Sequence, residues 1–288
     1  MSVELSLVIP AWNESGRLPS YLASIRTYLG GASLSGYEVI VVDDGSTDGL
    51  ADRISRHARR WPELSVLRHP VNRGKGAAVR TGILAASGRY LLFTDADGAT
   101  PIAEESRLRA AIDGGADLAA GSRMVSWHGG ERQRPWLRRT IGRAFVRLVH
   151  AMLSVPIRDT QCGFKMFRQG VGHHLLGATT EDGYLFDIEI LALALRCRYQ
   201  VAEVPVRWSE VPGSKVDLLR DSCRMAMGLS RVRRAVGAAS RGMASAPPCT
   251  DCLGVVPRLD REPSERGLAE LSAAIAEPSP VQLPAGAR

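Results

Sequence analysis

The sequence predicts an α/β fold, a mostly parallel sheet flanked by helices. Three observations carry this. Short apolar runs alternate with helix-period segments through the first 120 residues. The runs are apolar throughout rather than alternating, as when helices cover both faces of a sheet. Polar turns rich in Asp and Gly follow the early runs, and in a parallel sheet such turns gather at one edge.

The elements follow in order. Leu5–Ile9 reads as a strand ended by Pro10, with a helix over 18–29. Glu38–Val42 is a second strand, and 47–60 a helix with Ala51, Ile54 and Ala58 on one face. Leu64–Leu67, Gly76–Ala86 and Tyr90–Phe93 continue as strand, helix and strand. A helix over 102–113 and a strand over Asp117–Ala120 close the regular part. Residues 126–135 are polar and loop-like. Trp136–Leu153 then has Leu137, Ile141, Ala144, Leu148 and Met152 on one side and Arg139, Arg143 and Arg147 on another. Such a basic amphipathic helix either lies at a membrane interface or packs on the core with solvated arginines, and the pattern leaves both open. A strand over 161–167, a helix over 184–196, a strand over 200–208 and an arginine-rich helix over 216–236 follow, with His173-His174 expected in a loop. From Ala238 the chain turns rich in Ala, Pro and Ser. The expected organisation is therefore one domain over 1–237 and a disordered tail over 238–288.

Composition narrows the function. The 288 residues suffice for one domain plus a tail. No apolar run approaches the roughly 18–20 residues of a membrane span, and Met1–Leu5 leads into a strand rather than a secretory leader. Five scattered cysteines (Cys162, Cys197, Cys223, Cys249, Cys252) do not suggest a disulfide framework, which points to the reducing cytosol. Cys249 and Cys252 form a single pair where a zinc site needs more ligands, and Cys162 reads as packing. The six histidines show no metal-ligand spacing. A net charge of +7 suits an anionic partner: a nucleic acid, a membrane surface or a phosphorylated substrate. With aromatics at only 6% and no recognisable module, a nucleic-acid-binding protein is the remote alternative.

Four motifs follow strands. They are Pro10-Ala11-Trp12-Asn13-Glu14, Asp43-Asp44-Gly45-Ser46-Thr47-Asp48, Asn72-Arg73-Gly74-Lys75-Gly76 and Asp95-Ala96-Asp97. Two carboxylates one residue apart at a strand mouth make a poor core and a good site for Mg²⁺ or Mn²⁺ on a diphosphate. Each motif alone has a structural explanation; Asp43, Asp44 and Ser46, for example, could cap a helix. Gly74-Lys75-Gly76 lacks the spacing of a nucleotide-triphosphatase loop, yet opens a helix whose N-terminus could favour an anion. Their convergence on one edge is what makes a site.

Together these residues resemble the inverting family 2 glycosyltransferases of GT-A fold, a Rossmann-like architecture. Three later motifs narrow the match: Asp95-Ala96-Asp97-Gly98-Ala99-Thr100, Arg158-Asp159-Thr160-Gln161-Cys162-Gly163-Phe164-Lys165 and Trp208-Ser209-Glu210-Val211-Pro212-Gly213-Ser214-Lys215. They are similar to those of the polyprenyl-phosphate and dolichyl-phosphate β-glucosyltransferase group, over residues 3 to about 236. The resemblance implies transfer of a hexose, with glucose from UDP-glucose favoured, to a polyprenyl phosphate with inversion. Mannose from GDP-mannose, an N-acetylhexosamine, or a non-lipid acceptor are its alternatives. It implies that Pro10, Trp12, Glu14, Val42, Asp43, Asp44, Lys75, Asp95 and Ala96 hold the donor, and that Asp95 and Asp97 hold Mg²⁺ or Mn²⁺. Arg123, Arg138, Arg139 and Ser214 would meet the acceptor phosphate, on basic amphipathic helices near the acceptor side. Asp97, Arg123 and Lys215 would act in catalysis, with Gly213-Ser214-Lys215 closing on the substrates. The implied partners are a nucleotide sugar, a polyprenyl phosphate, and a membrane surface or membrane partner on the cytosolic face. Trp12 stands where the family more often has Tyr, and 181–187 departs from a more basic stretch, in the region that shapes the sugar pocket. An ionised phosphate nucleophile needs no strong base, although Glu181, Asp182 and Asp187 are candidates.

Overall fold

The computed structural model describes residues 2–124, 136–211 and 218–243, and side chains for all of these except 136–141, 143 and 218–224. Seven strands, β1 (Leu5–Ala11), β2 (Tyr37–Asp43), β3 (Leu64–Arg68), β4 (Tyr90–Thr94), β5 (Leu118–Ser122), β6 (Phe164–Arg168) and β7 (Val201–Pro205), form one sheet in the order β3-β2-β1-β4-β6-β5-β7. Neighbours pair in parallel except around β6, which runs antiparallel to both β4 and β5. The helices are α1 (Leu18–Gly31), α2 (Leu50–Ala58), α3 (Lys75–Ala85), α4 (Glu105–Asp113), α5 (Trp136–Leu153), α6 (Gln169–Ala178), α7 (Phe186–Arg196) and α8 (Leu218–Met243).

Successive strand residues face opposite sides of the sheet, and both sides are covered. Leu7 and Ile9 of β1 join Leu22, Ile25, Ile54 and Leu108 in one core. Val8, between them, joins Val79, Ile83, Phe186 and Leu191 in the other. That is why the strands read as continuous apolar runs. The order runs outward from β1 through β2 to β3, then resumes at β4 on the other side of β1. The crevice at this switch point, beyond the carboxyl ends of β1, β2 and β4, is where such sheets bind ligands.

Several expectations shift. Helix α2 begins at Leu50 rather than 47, because Gly49 takes φ +78° and Asp48 Oδ1 accepts the Leu50 amide hydrogen at 3.1 Å, making 47–49 a turn. The expected strand over 161–167 begins at Phe164, and that over 200–208 ends at Pro205. His173 and His174 lie in helix α6, not in a loop. Gly170, Gly172 and Gly177 hide this helix from propensity, and burial of Val171, Leu175 and Leu176 supplies what propensity lacks. Helix α5 packs against α8. It buries Val149 and Leu153, with Phe145 and Met152 against the same core, while Ala144 and Leu148 face outward. The buried face is thus turned about one residue from the expected one. Helix α8 runs to Met243, past the boundary expected at 237. The loop expected at 126–135 and all residues from 244 onward lie outside the described residues. None of the helices described is long and apolar enough to cross a membrane.

Candidate active site

The four predicted loops meet at the switch point and hold one another. Asp44 N donates to Ala11 O at 2.9 Å, and Asn13 N to Ser46 Oγ at 2.8 Å, joining the first loop to the second. Gly45, at φ +69°, lets the second loop touch the third: a Cβ there would lie 2.4 Å from the Val71 carbonyl carbon. The Asp44 carboxylate then accepts amide hydrogens from Arg73 at 2.9 Å and Gly74 at 2.8 Å. A buried histidine completes its shell. His69 Nδ1 lies 2.6 Å from Asp44 Oδ1 and donates, since a carboxylate only accepts. His69 Nε2 lies 3.0 Å from Thr81 Oγ1 on α3.

These loops enclose a cavity of about 300 Å³, at the lower end of small-molecule sites. Of the residues expected to hold the donor, Pro10, Trp12, Glu14, Asp44, Lys75, Asp95 and Ala96 line it, as does Asp97. Val42 and Asp43 do not. Val42 is fully buried in the core beneath α3. Asp43 is buried at the end of β2, where Oδ1 accepts the Ser46 amide hydrogen at 2.9 Å and Oδ2 faces Arg68 Nε at 3.3 Å. It shapes the turn instead of facing the cavity.

The metal motif is shaped from below. Tyr21, buried in α1, places its hydroxyl 3.1 Å from Thr94 Oγ1 and donates to Thr100 O at 3.2 Å. Asp97 Oδ1 accepts the Ala99 amide hydrogen at 3.0 Å. Burial pushes the Asp97 carboxyl above the ordinary aspartate range and Asp95 adds to this, against that hydrogen bond and the cations Arg17 and Lys75. Lys75 Nζ donates to Asp95 Oδ1 at 2.6 Å. Burial would lower the Lys75 ammonium, but Asp95 and Asp187 outweigh it and raise it, so it is held charged. The pair fits a divalent cation: hard oxygens whose mutual repulsion a cation would relieve. Among the described residues no third acidic, His or Cys side chain joins them. Substrate oxygens and water would complete the shell, as is usual for Mg²⁺.

The N-terminus of α3 is not the open anion site its sequence suggests. The Asp182 carbonyl accepts from Gly76 N at 2.7 Å and Ala77 N at 3.3 Å. A Cβ on Gly76 would lie 2.4 Å from the Glu181 carbonyl oxygen, so this close approach requires glycine.

The antiparallel β6 brings the Arg158–Lys165 motif to the same edge. Its first residue, Phe164, pairs with Thr94, and the ladder extends by a bond from Asp95 N to Gly163 O at 3.0 Å. A Cβ on Gly163 would meet the Asp95 carboxylate at 2.2 Å. Lys165, fully buried on β6, donates from Nζ to Asp187 Oδ1 at 2.5 Å, Cys162 O at 2.7 Å and Thr160 O at 3.3 Å. One ammonium thus fastens the 160–162 turn to the start of α7. Cys162 is buried, and burial pushes its thiol up to about 12, so it serves packing.

Arg123, just beyond β5, forks onto Asp159 of the same motif, Nε to Oδ2 at 2.7 Å and Nη2 to Oδ1 at 2.8 Å. Its guanidinium also lies 5.8 Å from the Trp208 ring centroid, and Ser209 N donates to Ala99 O at 2.9 Å. The predicted acceptor segments therefore meet beside the metal motif, outside the cavity lining. The side chains of Arg138 and Arg139, and residues Ser214 and Lys215, lie outside what the structure describes.

Burial alone would raise the Asp159 carboxyl, but Arg123 outweighs it and holds Asp159 below the ordinary range. A carboxyl lowered by folding contributes stability above its unfolded pKa, lost as pH falls through the folded value. The stability difference between wild type and Arg123→Met is therefore expected to be full at neutral pH. It should shrink as pH falls through the range where Asp159, raised by burial once Arg123 is gone, takes up its proton in the variant, and be lost below the lowered wild-type value. Urea unfolding across pH measures this, and a pH-independent difference would refute it.

The three candidate bases are all engaged. Asp187 faces Lys165, Asp182 pairs with Arg80, and Glu181 Oε2 lies 3.0 Å from Arg231 Nη2. Sequence reasoning missed Arg17 and the role of His69, while Tyr184 lies in the 181–187 stretch expected to shape the sugar pocket. Arg17 follows Glu14 at helical spacing, pairs with it at 2.6 Å and lines the cavity near Asp97. His69 carried a signal only in its distance from other metal-type ligands, which is not what it does.

The model for the family described as "Glycosyl transferase family 2" matches residues 6–176. The dolichyl-phosphate β-glucosyltransferase of Saccharomyces cerevisiae is 36% identical over 249 residues, covering 80% of this chain and 74% of that protein. That of Drosophila melanogaster is 38% identical over 229 residues, covering 75% and 70%. Among solved structures, glucosyl-3-phosphoglycerate synthase from Mycobacterium tuberculosis, crystallised with Mn²⁺, UDP and its product, aligns with a TM-score of 0.58 at 21% identity over 80% of each chain. The fold expectation, a mostly parallel GT-A sheet flanked by helices, is met.

Proposed function

Because this chain belongs to glycosyltransferase family 2, we propose that it transfers glucose from UDP-glucose to a dolichyl or other polyprenyl phosphate, giving a β-linked product. The observation that supports this best is the bond from Asp95 N to Gly163 O, which joins Asp95-Ala96-Asp97 to the Arg158–Lys165 motif that we assign to the acceptor side. Relatives named dolichyl-phosphate β-glucosyltransferase, more than two-thirds covered, support the acceptor, and UDP in the fold relative supports the nucleotide.

A phosphate oxygen of the lipid attacks the anomeric carbon as the bond to UDP breaks, inverting the configuration. Phosphate monoesters are ionised at neutral pH, so no proton need be removed, in keeping with three candidate bases already ion-paired. Asp97 and Asp95 would hold a divalent cation, Mg²⁺ or Mn²⁺, which supplies charge neutralisation on the departing diphosphate. Lys75 adds fixed positive charge beside it. Trp12 and Asp44 bind the nucleoside, with His69 holding Asp44 in place. Arg123, forked onto Asp159, presents the acceptor side; Arg138, Arg139, Ser214 and Lys215 are assigned with it on the motif alone. Exposed Arg147, Arg231, Arg233 and Arg234 on α5 and α8 suit the anionic cytosolic face of a membrane. The transferase is assigned to 1–243, since α8 runs past 237 and packs Ala239 and Met243 against the core, and the residues after it are treated as an appendage.

A donor panel tests the reading. With polyprenyl phosphate and Mn²⁺ or Mg²⁺, UDP-glucose should give a product of the mass of the lipid phosphate plus one hexose. GDP-mannose and UDP-N-acetylglucosamine should give little. Transfer from GDP-mannose alone, or only to soluble acceptors, would overturn it.

A further inference from the structure

Two half-exposed aromatic side chains stand in the cavity wall, Trp12 at 44% and Tyr184 at 48% exposure. The motif around Trp12 accounts for the first. Tyr184 comes from the turn between α6 and α7, and the transfer reaction gives it no task. We propose that Tyr184 contacts the hexose of the donor and sets sugar selectivity; the inference rests on the reading of the chain as a UDP-glucose-dependent transferase.

Three observations support it. The turn is rigid. The Glu189 carboxylate, buried in the first turn of α7, accepts from Thr180 N at 3.1 Å and Glu181 N at 2.8 Å. Asp182 O caps α3, the Asp182 carboxylate pairs with Arg80, and Glu181 pairs with Arg231. A ring carried on so fixed a turn loses little freedom when a ligand arrives. The turn also lies at the diphosphate end of the cavity. Gly74 sits against the Asp182 carbonyl, Lys75 Nζ lies 5.7 Å from the ring centroid of Phe186, two residues after Tyr184, and Tyr184 and Lys75 line the same cavity. In a sugar nucleotide the hexose hangs from the phosphate farther from the base, so a ring beside Lys75 meets the sugar before the nucleobase. The chemistry is suited too. An aromatic face packs on the C–H face of an equatorially substituted hexose, and the phenol can bond a hydroxyl. The axial 4-hydroxyl of a galactosyl donor spoils the face that carries C2–H and C4–H in glucose, the face assigned to the ring.

Calorimetric titration of UDP and UDP-glucose, each with Mn²⁺, into wild type, Tyr184→Ala and Tyr184→Phe tests the contact. Tyr184→Ala should weaken UDP-glucose about tenfold and leave UDP within about twofold. Tyr184→Phe should keep UDP-glucose within about threefold of wild type, and the preference over UDP-galactose should narrow in the Ala variant alone. Equal weakening of UDP and UDP-glucose, or no weakening of either, overturns the proposal. Binding needs no acceptor. A wild type that binds UDP-glucose but fails to glucosylate polyprenyl phosphate would therefore overturn the acceptor assignment, while the Tyr184 comparison still decides for or against the sugar contact.

Discussion

Asp97→Asn is expected to lower kcat about 100- to 1,000-fold in the presence of saturating Mn²⁺. The side chain keeps its shape and can still accept the Ala99 amide hydrogen, so the turn should survive. What is lost is a carboxylate set in a partly buried site beside a second carboxylate, where its charge is expensive unless a cation answers it. The variant should also bind Mn²⁺ more weakly in the presence of UDP, readable by electron paramagnetic resonance of free Mn²⁺. Binding of UDP without metal should be little changed. Wild-type turnover by Asp97→Asn would remove Asp97 from the metal site.

The second large effect is on stability. Lys165 is fully buried and satisfies three acceptors with one ammonium. Burial raises the Asp187 carboxyl, and Lys165 and Lys75 oppose that rise. Lys165→Met leaves Asp187 without its nearest cation and two carbonyls without a donor. Breaking a buried pair in this one-sided way costs about 3–5 kcal/mol, a fall in Tm of about 10 °C for a domain of this size. Asp187→Asn should cost less, because its amide oxygen can still accept from Lys165. The double variant Lys165→Met, Asp187→Leu should recover part of the loss, since replacing both charges avoids the stranded one. Urea unfolding measures all three; a Lys165→Met variant within about 0.5 kcal/mol of wild type would show that the pair is not holding the turn.

Much of the site was legible because its parts are local. Each donor loop is a few Asp, Gly or Asn residues directly after an apolar run, and parallel pairing puts all four at one edge. Adjacent residues within a loop were harder. Val42 and Asp43 sit beside Asp44, yet the pleat sends Val42 into the core and the turn uses up Asp43. The direction of β6 left no local trace, because apolar pattern records burial and not polarity of the strand. Helix α5 shows the same limit: its periodicity was clear, but which stripe is buried depends on where α8 lies. The α3 N-terminus looked open for lack of any nearby sequence partner, and its partner is the Asp182 carbonyl.

That carbonyl has a consequence for how the protein comes to be. During synthesis residues leave the ribosome from the amino end, so all four donor loops are present before Asp182 exists. Until it arrives, the Gly76 and Ala77 amides have only water to bond, and Gly74 and Gly76 leave the third loop with unusual backbone freedom. A nascent chain ending at residue 176, where the family match stops, would carry every donor motif and still lack the segment that fixes Lys75 at the head of its helix. The pocket is thus completed by the half of the molecule made last, and activity should appear only as α7 docks.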